Sequence, residues 1–361
     1  MVVSKTAGDF RSFVMQKLFR KQKSGFALVT ILLIVTMLSA CSVSHEDKKI
    51  PVKVLILPKF EQEELTGDFP GEAQFFFDGY LKGGEEYEIG QGSDKNKLYY
   101  KDGIAMCILG QGKVNAALNT SAVLSDSRFD LSDAYILSIG CGGAAEGYAI
   151  PGDVLVITAI ADFDLGHWTD ARELSSEDGK TWFHDESFDD IAFVKLNKSL
   201  TDRVFELTKN VKLDTTERTE AFIQKEYPGE EWADRKPRVM RGSSVTGDQY
   251  WKGIYGHKTA QMITETYNLE DPFAVTEMED LAVAQAAKRY GMLDRLIVLR
   301  VGVNMDVFPT GISPEMIWDP QTDDHVASEG SLESIDIFET AMKNLFEVGK
   351  VVIDHQIAAD R

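Results

Sequence analysis

From residue 50 onward, apolar runs of strand length alternate with stretches of helical length, and this alternation limits the possible folds more than any other feature. "VKVLILP" (52–58), "IAMCILG" (104–110), "AYILSIG" (134–140), "GDVLVITAIAD" (152–162), "PFAVTEM" (272–278) and "RLIVLRVGV" (295–303) read as buried or half-buried strands. Between them "GKVNAALNTSAVLSDS" (112–127), "HKTAQMITETY" (257–267) and "EDLAVAQAAKRYG" (279–291) read as helices, the last closing on a glycine stop. Strands that alternate with helices predict a largely parallel sheet covered on both faces. The glycine-rich ends "LGQG" and "IGCGGA" then fall at strand C-termini, where such sheets keep their ligand crevice. Residues 163–236 are less regular, with acidic loops and a helix near 199–209, but show no linker-like break in composition. They read as insertions on one domain.

The first forty residues stand apart. Lys17, Arg20, Lys21 and Lys23 precede a charge-free stretch from Ser24 to Cys41 that ends in small residues, the layout of an export signal. Leu38-Ser39-Ala40-Cys41 resembles the bacterial lipobox, whose cysteine becomes the lipid-modified first residue after cleavage. The expected organisation is a lipoprotein signal peptide over 1–40, a short tether over 41–50 with Cys41 as the lipid attachment, and one domain over 51–361; a retained membrane anchor is the alternative. Either way the body is expected outside the cytoplasm, in the bacterial cell envelope, on the periplasmic or outer side of a membrane. One such segment cannot by itself build a multi-helix channel or carrier.

The chain is 43% hydrophobic and 27% charged, ordinary for a globular protein. Removing residues 1–40 leaves 32 Lys/Arg against 57 Asp/Glu, a formal charge of −25. So acidic a body does not bind nucleic acid or anionic lipid through its overall field. Of three cysteines, Cys41 belongs to the leader pattern, and the spacing of Cys107 and Cys141 suggests no zinc site or other metal. Two small buried thiols are favoured, with a disulfide after export as the alternative.

Four segments are candidates for chemistry. In "LGQGKVNAAL" the backbone around Gly110 and Gly112 is placed to face an anion or a sugar hydroxyl, or else simply turns from strand to helix. Gly140, Gly142 and Gly143 in "SIGCGGAAEG" permit close approach to the backbone, but neither stretch matches the dinucleotide fingerprint or the P-loop. In "AVTEMEDLA", Glu277 and Glu279 flank Met278 where a strand yields to a helix. Carboxylates accept from sugar hydroxyls while a thioether packs on the ring face, although Glu279 and Asp280 also suit helix capping. "KFEQEEL" sets Glu61, Glu63 and Glu64 just past the first strand, where one carboxylate can serve as base for a water or merely favour a helix start.

Together, "LGQGKVNAAL", "LSIGCGGAAEGYAIPGDVLVIT", "GDQYW", "AVTEMED" and "LRVGVNMD" occur in the order and spacing of the nucleoside phosphorylase and nucleosidase superfamily. "FEQE", "FDLGHWTDARE", "TGDQYWKG" and "TEMEDLAVAQAAKRYG" most resemble its purine nucleoside permease family, over roughly residues 50 to 355. The resemblance implies a single-domain α/β, nucleoside phosphorylase-like fold with a mixed, partly barrel-like central sheet flanked by helices and preceded by the signal peptide. It places a ribose-binding pair on Met278 and Glu279, the water-activating acid on Glu63, a base-facing aromatic region on Tyr250 and Trp251, and the leaving-group residue on Asn304. Nucleosidases carry an aspartate there to protonate N7 of the purine; an asparagine instead suits hydrogen bonding to a 6-oxopurine, unless Asp306 supplies the acid.

Phosphorolysis asks for an arginine or an equivalent set of donors. No arginine occurs between Pro51 and Arg128, which leaves Lys59, Lys113 or Arg300 as substitutes, with Arg300 favoured as structural. Hydrolysis is therefore preferred, with no cofactor; inorganic phosphate would be a co-substrate only in the phosphorolytic case. The competing expectation is a non-catalytic nucleoside-binding component of transport, working with a membrane transporter partner. A homo-oligomer is expected in both cases.

Overall fold

A computed structural model describes residues 48–90, 96–170, 173, 180–311, 318–319, 324–325 and 332–358. The leader and its Cys41 lie outside the described residues. The body from Lys49 onward forms one compact unit. No described helix is long and apolar enough to cross a membrane.

Ten strands make the main sheet: β1 (Val54–Leu57), β2 (Glu85–Ile89), β3 (Asn96–Lys101), β4 (Ile104–Cys107), β5 (Tyr135–Ala144), β6 (Val154–Asp162), β7 (Phe193–Lys195), β8 (Val239–Thr246), β9 (Phe273–Glu277) and β10 (Leu296–Met305). Their order is β7-β6-β8-β9-β5-β1-β4-β3-β2, while β10 pairs with both β5 and β6. That double pairing closes β6, β8, β9, β5 and β10 into a five-membered ring, and β1, β4, β3 and β2 extend from it. The longer helices are α1 (Lys113–Leu124), α2 (Lys198–Thr208), α3 (Glu217–Glu226), α4 (Ile254–Thr266), α5 (Asp280–Arg289) and α6 (Leu332–Ala358).

Period-two alternation sorts the strand side chains into two cores. Leu55 and Leu57 of β1 join one with Leu155 and Ile157 of β6; Val54 and Ile56 join the other with Val154 and Val156. α1 and α5 cover the first core through Ala116, Val123, Val283, Ala284 and Ala287. α2 and α6 cover the second through Leu200, Val204, Ala341, Leu345, Val348 and Val352. α2 starts where the Asn197 side chain accepts from Leu200 N–H (3.2 Å), and α3 where Thr216 accepts from Thr219 N–H (3.0 Å). Each cap satisfies an amide that a helix start would leave unpaired.

The expectation of a largely parallel sheet needs correction. β1, β4, β5, β8 and part of β6 and β10 pair in parallel, but β5 with β9, β6 with β10, β6 with β7, β3 with β4 and β2 with β3 are antiparallel. Hydrophobic alternation reports which face is buried and carries no information on strand direction. The mixed sheet implied by the family resemblance is the one observed.

Candidate functional site

A cavity of about 630 Å³ opens at the C-terminal ends of β1, β5, β9 and β10, within the roughly 300–1,000 Å³ typical of small-molecule sites. The 249–252 loop, Phe222 and Glu226 of α3, and Ile337 and Phe338 of α6 complete its wall.

Five charged side chains, none more than 5% exposed, meet at its floor, Lys59, Glu72, Glu277, Glu279 and Arg300, with the buried Asp280 behind them. Arg300, on β10, donates Nε and Nη2 to the two oxygens of Asp280 (2.9 and 2.8 Å), Nη2 also to Glu277 (2.9 Å) and Glu279 (3.2 Å), and Nη1 to the Cys141 carbonyl (2.8 Å). Lys59 Nζ donates to Ser138 Oγ (2.6 Å) and to the carbonyls of Ile139 (2.7 Å) and Leu57 (3.1 Å). All three of its hydrogens are thereby used. Glycine at position 140 admits the cluster: a Cβ there would stand 2.4 Å from Arg300 Nη1 and 2.9 Å from Glu72 Oε1.

Four carboxylates face two cations in this space, and Glu72 and Glu277 hold protons more tightly than an ordinary carboxylate. Burial raises the proton affinity of Glu72, with Arg300 and Lys59 opposing. Glu277 is pushed up to about 7 by burial and by the neighbouring Asp280, against Arg300. Lys59 is lowered by burial and then by Arg300. Burial also works against the Arg300 charge, but Asp280, Glu277 and Glu279 hold it firmly protonated.

The sequence-predicted residues separate on this frame. Glu279 borders the cavity; Gly112 N–H donates to its Oε1 (3.0 Å) while Oε2 meets Arg300. The Gly112 amide is thus spent on an internal carboxylate. Neither Gly110 nor Gly112 lines the cavity, whereas Gln111 between them does. Capping of α5 falls to Glu277, whose Oε2 accepts from the N–H groups of Glu279 and Asp280, both at 2.7 Å, and whose other oxygen accepts from Thr246. Met278 lines the cavity, as do Gly142 and Gly143.

Glu63 is exposed and outside the cavity wall. The carboxylate that enters from this region is Glu72, held by the N–H groups of Lys59 (2.7 Å) and Cys141 (2.8 Å). Its placement comes from Glu61, whose side chain accepts from the amides of Gly71, Ala73 (2.9 Å) and Gln74 (2.6 Å) and folds the loop back. Nothing in local spacing marks Glu72, because the eleven-residue excursion from Glu61 is closed by side-chain-to-backbone bonds that periodicity does not register.

Asn304 also reaches the cavity, and a register shift between Gly302 and Asn304 explains how. The extra residue in β10 re-aims the strand end. Asn304 Nδ2 donates to Tyr250 Oη (2.7 Å), and Tyr250 remains 69% exposed at the rim. Trp251 lines the cavity, but Phe163 stacks on it at 5.0 Å and 14°, and a Cβ at position 256 would stand 2.2 Å from its six-membered ring. The Asp306 carboxylate is buried and fully engaged: one oxygen accepts from Glu146 N–H (3.0 Å), the other meets His257 Nδ1 (2.7 Å). Burial raises its proton affinity and His257 opposes the shift.

Lys113 points elsewhere, to Asp164 (2.7 Å) and Asp162 (3.1 Å). Cys107 and Cys141 are free thiols; Cys141 borders the cavity, its pKa raised by burial and then by Glu72. Among the described residues no group of His, Cys, Asp and Glu is arranged to hold a metal ion.

Solved structures share this architecture. A 5'-methylthioadenosine/S-adenosylhomocysteine nucleosidase from Neisseria meningitidis is 15% identical, covering 84% of this chain and 99% of its own, with a TM-score of 0.50. A futalosine hydrolase mutant from Helicobacter pylori strain 26695 is 18% identical over 84% of this chain and 99% of its own, also at 0.50. The fold is therefore one that this chain shares with both of these proteins. The chain belongs to the purine nucleoside permease (NUP) family, whose sequence profile matches residues 51–360. A probable purine nucleoside permease of Schizosaccharomyces pombe is 27% identical over 275 residues, 70% of this chain and 75% of that protein. The Candida albicans purine nucleoside permease is 24% identical over 216 residues, and the match spans about half of it, 53%.

Proposed function

We propose that the cavity binds a purine nucleoside and that the protein cleaves its N-glycosidic bond with water. The observation that carries this reading is the pair of buried carboxylates, Glu72 and Glu279, anchored by different partners on one cavity floor. In this reading Glu279 accepts from the ribose 2'- and 3'-hydroxyls, and its charge stabilises the cationic sugar that develops as the bond to the base breaks. Met278 packs on the sugar. Glu72, made more basic by burial, takes a proton from the water whose oxygen bonds to C1'. The bonding pair leaves with the purine, whose edge is held by Asn304; the base completes its protonation from solvent.

Water is favoured over phosphate because the buried cations are already committed. Arg300 and Lys59 spend their donors on carboxylates, carbonyls and Ser138, and Lys113 is paired with two aspartates. A phosphate would have to break these bonds in a cluster that already carries excess negative charge. No cofactor enters this scheme.

The second reading is a nucleoside-binding component of uptake. It is supported by the amide at position 304, which has no titrating proton to give a departing base, and by the permease names of the relatives. Both readings set the body outside the cytoplasm, tethered through Cys41, on the pattern of residues 17–41. One experiment separates them. The mature body is incubated with inosine or guanosine in ¹⁸O-labelled water with phosphate present, and the products are resolved by chromatography and mass. Labelled ribose with free base supports hydrolysis, ribose 1-phosphate supports phosphorolysis, and intact nucleoside that still binds by calorimetry supports the uptake reading.

A further inference from the structure

Asp306 ties together three segments of the cavity wall. Its backbone N–H donates to the Ala144 carbonyl (3.0 Å), holding the end of β10 against the end of β5. Its backbone carbonyl accepts from Gly253 N–H (2.7 Å), which fastens the loop carrying Tyr250 and Trp251. Its carboxylate binds Glu146 N–H in the turn after β5 (3.0 Å) and His257 Nδ1 in the first turn of α4 (2.7 Å). The side chains of His257 and Asp306 are 5% and 0% exposed, and His257 does not line the cavity. Two residues before Asp306, Asn304 bonds to Tyr250 across the very gap that the Gly253 link spans.

Resting on the nucleoside reading above, we propose that His257 is a positioning residue for base recognition: acting through Asp306, it fixes Asn304 and the Tyr250 loop in the relative placement that reads the edge of the purine. A buried carboxylate with two donors holds one rotamer; removing one donor leaves an oxygen unsatisfied and lets the side chain turn. Because Asn304 lies only two residues before Asp306, at the end of β10, release of that anchor shifts the amide against the base. The Tyr250 loop moves with it through Gly253. His257 takes no part in the chemistry at the sugar, where Glu72 and Glu279 sit on other elements.

The test compares calorimetric affinities for a 6-substituted purine ribonucleoside, inosine or adenosine, with those for purine ribonucleoside, which lacks the 6-substituent. The wild-type protein is expected to prefer the 6-substituted ligand by about tenfold, the value of one well-placed hydrogen bond. His257→Leu is expected to bring this ratio to near unity, and His257→Asn, whose amide nitrogen reaches the Nδ1 position, to restore most of it. Asp306→Asn serves if His257→Leu does not fold, because an amide oxygen replaces only one of the two acceptors and the ratio again falls. A role confined to stability lowers the melting temperature without moving the ratio. A folded His257→Leu or Asp306→Asn protein that keeps the wild-type ratio overturns the inference alone. A wild-type protein that binds neither ligand overturns the nucleoside reading and this inference with it.

Discussion

Arg300 Nη2 lies 3.2 Å from Glu279 Oε2, and this contact, with the Gly112 amide on the other oxygen, fixes the carboxylate before any ligand arrives. A pre-oriented acceptor loses little freedom on binding, and its remaining lone pairs are aimed rather than searched for.

The contact also shapes how Glu279 is tested. Truncation to alanine would leave Arg300 with one carboxylate fewer in a buried site, so loss of binding could reflect the cluster. Glu279→Gln keeps the volume and one acceptor. Ribonucleoside affinity is expected to fall by about 10- to 100-fold, the worth of hydrogen bonds to a charged acceptor. A 2',3'-dideoxynucleoside should bind wild type and variant alike, and titration calorimetry with both ligands checks the pair.

Glu72 and Glu63 offer a direct contrast. Glu72→Gln is expected to lower kcat by about 10²–10⁴, the usual worth of a positioned general base, with KM little changed. Glu63→Gln, on the exposed surface, is expected to leave both parameters at wild-type values. Release of free base, followed by chromatography, decides between them.

Glu277 gives the stability a pH dependence. Its folded pKa is pushed up to about 7 from an ordinary value of 4.5, first by burial. The folded state therefore holds a proton that the unfolded chain releases. This contribution is fully present below about pH 4.5 and is lost as pH rises through about 7. The melting temperature is expected to be higher at pH 6 than at pH 8. Glu277→Gln, unable to titrate, should flatten that difference in scanning calorimetry; a slope equal to that of wild type would show the dependence to lie in other carboxylates.

Gly142 tests the seam beneath the cavity. A Cβ there would stand 2.3 Å from the Thr276 carbonyl oxygen and 2.6 Å from Val275 Cγ2. Neither backbone can retreat without opening the pairing of β5 and β9. Gly142→Ala is expected to cost about 1–3 kcal/mol of stability, as overpacking does, read from urea unfolding.

How much of this was legible without coordinates follows from which interactions periodicity encodes. The six apolar strands and the helices that became α1, α4 and α5 are visible because one face of each is continuously buried. β8 escapes notice because Arg241, Gly242, Ser243 and Ser244 interrupt its apolar pattern, although most of its residues are buried. β2 and β3, "EEYEI" and "NKLYYK", have few buried positions and so carry little apolar pattern to notice. At the site, Met278, Glu279 and Asn304 are found from motif order, since each sits at a strand end. Glu72 and not Glu63 reaches the cavity because a loop folds back on Glu61, a long-range arrangement with no local signature. The engagement of both Asp306 oxygens depends likewise on residues 49 and 160 positions away in the chain.

Closure of the sheet by β10 has a consequence for how the body fluctuates. Arg300 rides on the part of β10, Leu299 to Val301, that is paired on one side with β5 and on the other with β6, while Asn304 beyond it pairs with β5. A strand with a free edge can fray and exchange its amides while the rest stays folded; one held from both sides cannot. The cavity floor therefore belongs to the last part of the molecule to let solvent in. The amides of Leu299 to Val301 are expected to exchange hydrogen only when the whole body unfolds, while those of β2, at the far margin of the sheet, exchange by local opening.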